Sequence, residues 1–212
     1  MAHGPEVRQL LYLVVGSLYT PVGVVKRQRV VGLEQLPQGG FVLGANHVSN
    51  IDPFAVAWCL FPRRHVHYMA KAELFAPWLA WAMRGIGTFP VRRGEADTEA
   101  LRTALALLRN GAIVGMFPEG TRRRKGLRKK FTPQPHPGTA RIALSAGVPL
   151  IPVGVAGTDR LLSTGRISVA FGSPVPLDDL AGLPRKRAAE VATERLMAAI
   201  ESLVAGLESL GC

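Results

Sequence analysis

Phe41-Val42-Leu43-Gly44-Ala45, followed by Asn46-His47-Val48-Ser49-Asn50-Ile51-Asp52-Pro53, decides how the rest of the chain is read. The apolar run has the length of a buried strand. Pro53 favours the first position of a helix. A strand, a short turn and a helix make up half of a βαβ unit, and strand ends in such folds are where sites are built. His47 and Asp52 fall in that turn.

A histidine near a carboxylate is the usual equipment for deprotonating a hydroxyl. Neutral imidazole takes the proton, while the carboxylate sets the tautomer and stabilises the imidazolium. Five residues apart on one continuous helix, the two side chains would diverge. They pair only if the segment between them is a turn leading into the helix. Asp52 is then expected as the N-cap. An Asp-Pro start also serves as a plain cap, and a lone histidine is often structural. No serine or cysteine has the setting of a nucleophile, and Cys59 falls in an apolar helical stretch as packing. If His47 is a base, the hydroxyl it activates belongs to a substrate.

Outward from this block, strands and helices alternate. Pro53 to about Leu60 is expected as a helix, and Val66–Ala70 as a strand. Glu73–Arg84 is expected as a helix carrying Trp78 and Trp81, with core packing the default for both rings and a pocket wall or a seat at a membrane the alternatives. Gly87–Val91 is a short strand. Asp97 caps a helix with Leu101, Ala104, Leu105 and Leu108 at helical spacing, and Gly111 ends it. Ala112–Phe117, Leu150–Val155 and Ile167–Phe171 are strands, and Gly138–Gly147 is a helix. Pro184 opens a C-terminal helix with Ala189, Ala192, Leu196, Ala199, Leu203 and Leu207 on one face. The alternation predicts an α/β fold, a single domain with a mostly parallel sheet flanked by helices. At 212 residues one core suffices.

The first 29 residues differ. Leu10 to Val25 is apolar but interrupted, and Lys26-Arg27-Gln28-Arg29 follows. A spanning helix needs about 20 apolar residues. The expectation is a membrane-associating segment, residues 1–29, lying in the interface as a helix or helical pair with basic residues at the head groups. The competing reading is a buried N-terminal helix. Residues 30–212 form the α/β domain. No signal peptide is expected.

Composition narrows the partners. Net charge is +11 and 48% of residues are hydrophobic, with mean hydropathy +0.18. A greasy chain with a basic surface suits an anionic partner: a membrane surface, a phosphorylated substrate or nucleic acid. Nucleic acid is disfavoured, because no recognised module or aromatic-basic interleaving is present. Two cysteines make no disulfide framework. The histidines have no metal-ligand spacing, and His65 and His67 read as structural. No metal or cofactor is expected.

A second constellation is Phe117-Pro118-Glu119-Gly120-Thr121-Arg122, immediately past a strand. A glycine and an arginine there can bring N–H groups and a guanidinium to an anion, although Pro-Glu-Gly also makes an ordinary turn. The basic run Arg122–Lys130 adjoins it.

Four blocks in order resemble the glycerolipid acyltransferase family, of the 1-acyl-sn-glycerol-3-phosphate acyltransferase type. They are Asn46–Asp52, Gly87–Arg93, Phe117–Arg122 and Val148–Val153. The resemblance covers roughly residues 31–159. It implies acyl transfer from acyl-CoA or acyl-carrier protein to the free hydroxyl of a lysophospholipid acceptor, giving phosphatidic acid without an acyl-enzyme. Another lysophospholipid or hydroxylated lipid would serve the same chemistry. A non-catalytic protein binding anionic membranes is the reading from another class.

By the same resemblance His47 is the base and Asp52 its orienting group. Arg93 holds the acceptor phosphate, and Glu119, Gly120, Thr121 and Arg122 complete the acceptor site. The implied place is the cytoplasmic face of the cell membrane. Two departures stand out. Arg92 occupies a position that is commonly acidic, and a proline-rich insert separates Phe131 from Gly138, leaving Lys129 or Lys130 to replace a lysine of the family pattern.

Overall fold

All five residues of β2 (Phe41–Ala45) are buried, and the strand lies at the middle of the sheet. The computed structural model describes residues 7–92, 97–120, 135–161 and 164–210. The other strands are β1 (Arg29–Val31), β3 (Val66–Lys71), β4 (Phe89–Val91), β5 (Ile113–Met116), β6 (Leu150–Ala156) and β7 (Ser168–Phe171). The spatial order is β1-β7-β6-β2-β5-β3-β4. Every pairing is parallel except β6 with β7. The domain is therefore α/β with a mostly parallel sheet, as the alternation predicts.

Helices cover both faces, which is why the central strands read as unbroken apolar runs. Alternate residues go to opposite sides. Val42, Val114 and Leu150 join a cluster with Leu107 and Leu108 of α4 (Thr98–Arg109), Ala140 and Ala143 of α5 (Gly138–Ala146), and Leu196 and Ile200 of α6 (Arg185–Ser209). Phe41, Leu43, Ile151 and Val153 face the other way. They meet Ala55, Val56 and Leu60 of α2 (Asp52–Leu60) and Tyr19 of α1 (Gln9–Val25). Burying a side chain of this size contributes about 1.5–3 kcal/mol. Asp97 does cap α4: its carboxylate accepts from Ala100 N at 3.0 Å and from Arg92 N at 2.8 Å. At Gly154 a Cβ would stand 2.8 Å from Leu203 Cβ and 3.1 Å from Val204 N, so the bare backbone is what lets α6 lie close on β6.

Three expectations change. Asp52 is not the N-cap of α2; Ile51 is. The carboxylate turns back into the preceding loop, because donors await it there. The helix predicted over Glu73–Arg84 begins later, as α3 (Pro77–Gly85), behind a 3-10 turn over Ala72–Leu74. Pro77 supplies the helical start, since it needs no hydrogen-bonded N–H. Trp78 and Trp81 are not core residues: they are 80% and 56% exposed. α3 has a single buried residue, Gly85, so its large side chains are left outward or half-covered.

The N-terminal stretch is one helix of 17 residues with Pro21 inside it. Tyr12, Tyr19 and Gly23 are buried against the body. The Tyr12 hydroxyl donates to Arg64 O, and the Tyr19 hydroxyl to Gln28 Oε1. Leu10, Val14, Leu18, Val24 and Val25 remain exposed. Lys26 is turned inward, where its Nζ donates to the carbonyls of Arg160 and Gly165. Among the described residues no helix is long and apolar enough to cross a membrane.

Candidate active site

The site lies past the C-terminal end of β2, where the chain leaves the sheet. The last β2–β6 pairing is Ala45 with Val153. At the next residue, the Asn46 side chain takes over from the ladder. Its Nδ2 donates to Val155 O at 2.8 Å, and its Oδ1 accepts from Val155 N at 2.7 Å. These two bonds brace β2 to β6 while freeing the backbone to turn.

The turn closes on Asp52. One carboxylate oxygen, Oδ2, accepts from Val48 N at 2.7 Å and Ser49 N at 2.8 Å. It also lies 2.8 Å from His47 Nδ1. The other oxygen, Oδ1, accepts from the Thr158 hydroxyl. Asp52 is fully buried. A buried charge persists where it is this well hydrogen-bonded.

This arrangement dictates the histidine tautomer. An ionised carboxylate is an acceptor only, so Nδ1 must carry the proton and donate it. Nε2 is left with a bare lone pair, which is what a general base needs. One face of the imidazole stacks on Phe117, centroids 4.3 Å apart at 26°.

His47 lies on the wall of a cavity of about 500 Å³. Its lining is largely apolar: Tyr12, Val15 and Tyr19 from α1, Trp58 from α2, Phe61 just past its end, and Met69 from β3. Lys71, Thr88 and Gly120 add polar edges. A base at the wall of such a cavity can act on a hydroxyl carried by an amphipathic molecule.

Of the residues singled out from sequence, the structure brings His47 and Gly120 to the wall of this cavity, with Asp52 buried against His47. Gly120 belongs to the turn after β5, its N–H donating to Phe117 O at 2.9 Å. Glu119 is buried in the same turn. Arg93, Thr121, Arg122, Lys129 and Lys130 lie outside the described residues. Cys59 is no nucleophile: burial pushes its thiol up to about 12, and its Sγ lies 3.3 Å from Gln28 Nε2. His67 is structural, as expected, with Nδ1 3.0 Å from Gly87 O and burial lowering its pKa. His65 packs edge-on against Tyr12, centroids 4.1 Å apart.

Thr158 escaped the sequence reading. It is 106 positions from Asp52, and a threonine after a strand carries no pattern of its own. One signal was available: Gly157-Thr158 follows β6 at the same end of the sheet as His47. Gly157 has φ +82°, and a Cβ there would fall 2.0 Å from Arg166 O. The turn that delivers Thr158 therefore needs glycine.

The chain is similar to known proteins. Residues 27–156 match the family model described as Acyltransferase. The chain belongs to the acyltransferase family. A 1-acyl-sn-glycerol-3-phosphate acyltransferase of Bacillus subtilis is 32% identical over 187 residues, spanning 86% of this chain and 90% of that protein. A chloroplastic protein of the same name from Brassica napus is 31% identical over 141 residues, which is 64% of this chain but 39% of that protein. The crystal structure of the 1-acyl-sn-glycerophosphate acyltransferase PlsC from Thermotoga maritima has the same fold. Its TM-score is 0.58 at 21% identity, covering 92% of this chain and 95% of that one. Within the acyltransferase frame, His47 of the first block and Phe117 and Gly120 of the third lie on one cavity wall.

Proposed function

We propose that this acyltransferase moves an acyl group from acyl-CoA or acyl-carrier protein to the free hydroxyl of 1-acyl-glycerol-3-phosphate, giving phosphatidic acid. The observation that carries the reading is the His47–Asp52 pair, its Nε2 free at the wall of an apolar cavity, in a chain of this family.

The steps balance without a covalent enzyme intermediate. His47 Nε2 takes the proton of the acceptor hydroxyl as its oxygen attacks the thioester carbonyl. The new C–O bond forms and the carbonyl becomes an oxyanion. Collapse breaks the C–S bond, and the leaving thiolate takes the proton from the imidazolium. Asp52 holds the ring and offsets its charge. A thioester is already activated, so a base with good positioning suffices. Such a base contributes about 10²–10⁴-fold. The reaction calls for no further cofactor.

By the family resemblance, Arg93 is assigned to the acceptor phosphate, with which a guanidinium pairs well, and Glu119, Gly120, Thr121 and Arg122 complete the acceptor site. Work at a membrane follows from the outer surface of α1 and α3, two neighbouring helices that wall the cavity. Leu10, Leu18, Trp78 and Trp81 are each more than half exposed. Arg8 stacks over Trp81 at 5.1 Å, joining a cation to an aromatic ring as interfacial segments do. We place this surface on the anionic cytoplasmic face of the cell membrane, with residues 1–29 as the associating segment.

The test supplies lysophosphatidic acid in liposomes with long-chain acyl-CoA, and follows thiol release beside His47→Ala. Acceptor-dependent release by the wild type alone supports the reading. A parallel reaction with acyl-carrier protein separates the two donors. Release confined to non-phosphorylated acceptors would overturn the phosphate assignment.

A further inference from the structure

His47 makes two contacts of different kinds. Its edge meets Asp52, and its face meets Phe117. The second contact has no need of a hydrogen bond, and any apolar residue would fill the space. The ring is nevertheless aromatic, nearly parallel to the imidazole, and itself held. Phe117 follows directly on β5, and its carbonyl accepts from Gly120 N. Tyr68 of β3 stacks near it, centroids 6.0 Å apart at 11°. Tyr68 and Gly115 of β5 face each other in register. A Cβ on Gly115 would come within 2.4 Å of the Tyr68 ring, so the bare glycine leaves space for that ring. Tyr68, Phe117 and His47 thus make a short ladder of rings that starts in the sheet and ends on the base.

We infer that Phe117 acts in catalysis through its π face, stabilising the imidazolium that His47 becomes when it takes the acceptor's proton. A cation within about 6 Å of an aromatic centroid is attracted to the negative ring face, more so where water is excluded. Neutral imidazole lacks this term. The interaction is therefore stronger at the transition state than before it, which is the condition for raising a rate. Asp52 and Phe117 share the developing charge, one along the ring edge and one across its face. Tyr68 keeps Phe117 from tilting away, and acts as a positioning residue.

The inference rests on acyl transfer as the activity. Its test replaces Phe117 with 4-fluoro-, 3,4,5-trifluoro- and pentafluorophenylalanine, which change the ring's shape little but progressively empty its negative face. Single-turnover acyl transfer is measured, so that product release does not mask the step. The expected result is a rate falling in step with fluorination, by roughly 5- to 30-fold across the series, with acceptor and donor KM held. F117L should show a similar loss of rate, and F117Y should recover most of it. A flat rate across the fluorinated series in an active wild type overturns the role of Phe117 and leaves the acyl-transfer reading standing. A wild type that transfers no acyl group to any acceptor overturns both.

Discussion

The Thr158 hydroxyl donates to Oδ1 of Asp52, the one carboxylate oxygen that the His47 turn leaves unused. Both residues are buried, and they come from opposite halves of the chain. The Asp52 carboxylate is thereby fixed from two directions: Oδ2 by its own loop, Oδ1 by the loop after β6.

Thr158→Val keeps the shape and removes that donor. A buried charged acceptor losing a partner costs about 1.5–3 kcal/mol. Unfolding in denaturant should show that loss, and the transfer rate should fall because Asp52 can rotate away from His47. Thr158→Ser should restore both. A valine variant with wild-type rate and stability would mean that the bond holds nothing in place.

His47→Ala should remove turnover by at least about 10²-fold while leaving the unfolding midpoint near that of the wild type. The side chain is partly exposed, and Asp52 keeps its other donors. Asp52→Asn should lose both rate and stability. Its amide NH₂ or its carbonyl must face donors that now satisfy two carboxylate oxygens. Activity and circular dichroism on the same samples separate the two effects.

Asp97 supplies a pH-dependent contribution. Backbone N–H groups of Ala100 and Arg92 hold its carboxyl below the usual range. A carboxylate with a lowered folded pKa stabilises the protein above its unfolded pKa, and that contribution is lost as pH falls through the folded value. Asp97→Ala should cost about 1 kcal/mol at neutral pH through the lost cap. The gap between wild type and variant should close in acid. Denaturant titrations at pH 7 and below pH 4 read it directly.

Trp78 and Trp81 can be changed without harm to the fold, because they are mostly exposed. Trp78→Ser with Trp81→Ser should leave thermal unfolding within about 0.5 kcal/mol of wild type. Binding to anionic phosphatidylglycerol vesicles should drop several-fold. Unchanged sedimentation with vesicles would remove α3 from the membrane contact.

Much of this was visible in the order of residues. Strands β2 to β7 and the helices between them follow from apolar periodicity and from Pro53, Asp97 and Gly111, each of which acts on its neighbours, whereas the short edge strand β1 was not read from the sequence. The pairing of His47 with Asp52 is also local, a matter of five residues and a turn. The errors came where an outcome depended on distant contacts. Asp52 has the residue type and position of a cap, yet backbone donors behind it and Thr158 ahead of it drew the carboxylate backward. Trp78 and Trp81 have the composition of a core, yet among the described residues no element covers α3 on their side.

The sequence by itself therefore determined the α/β alternation, the place of His47 at a strand end and the blocks that mark the family, because these depend on interactions within a turn or a strand. Only the tertiary structure decided what fills the space around His47. The Asn46 brace to Val155, the Thr158 bond, the Phe117 ring face and the α1–α2 walls of the cavity join segments far apart in the chain. Those contacts exist only once β5 and β6 lie beside β2 and α1 has docked, since chain closure over such distances leaves no periodic mark in the residues it brings together.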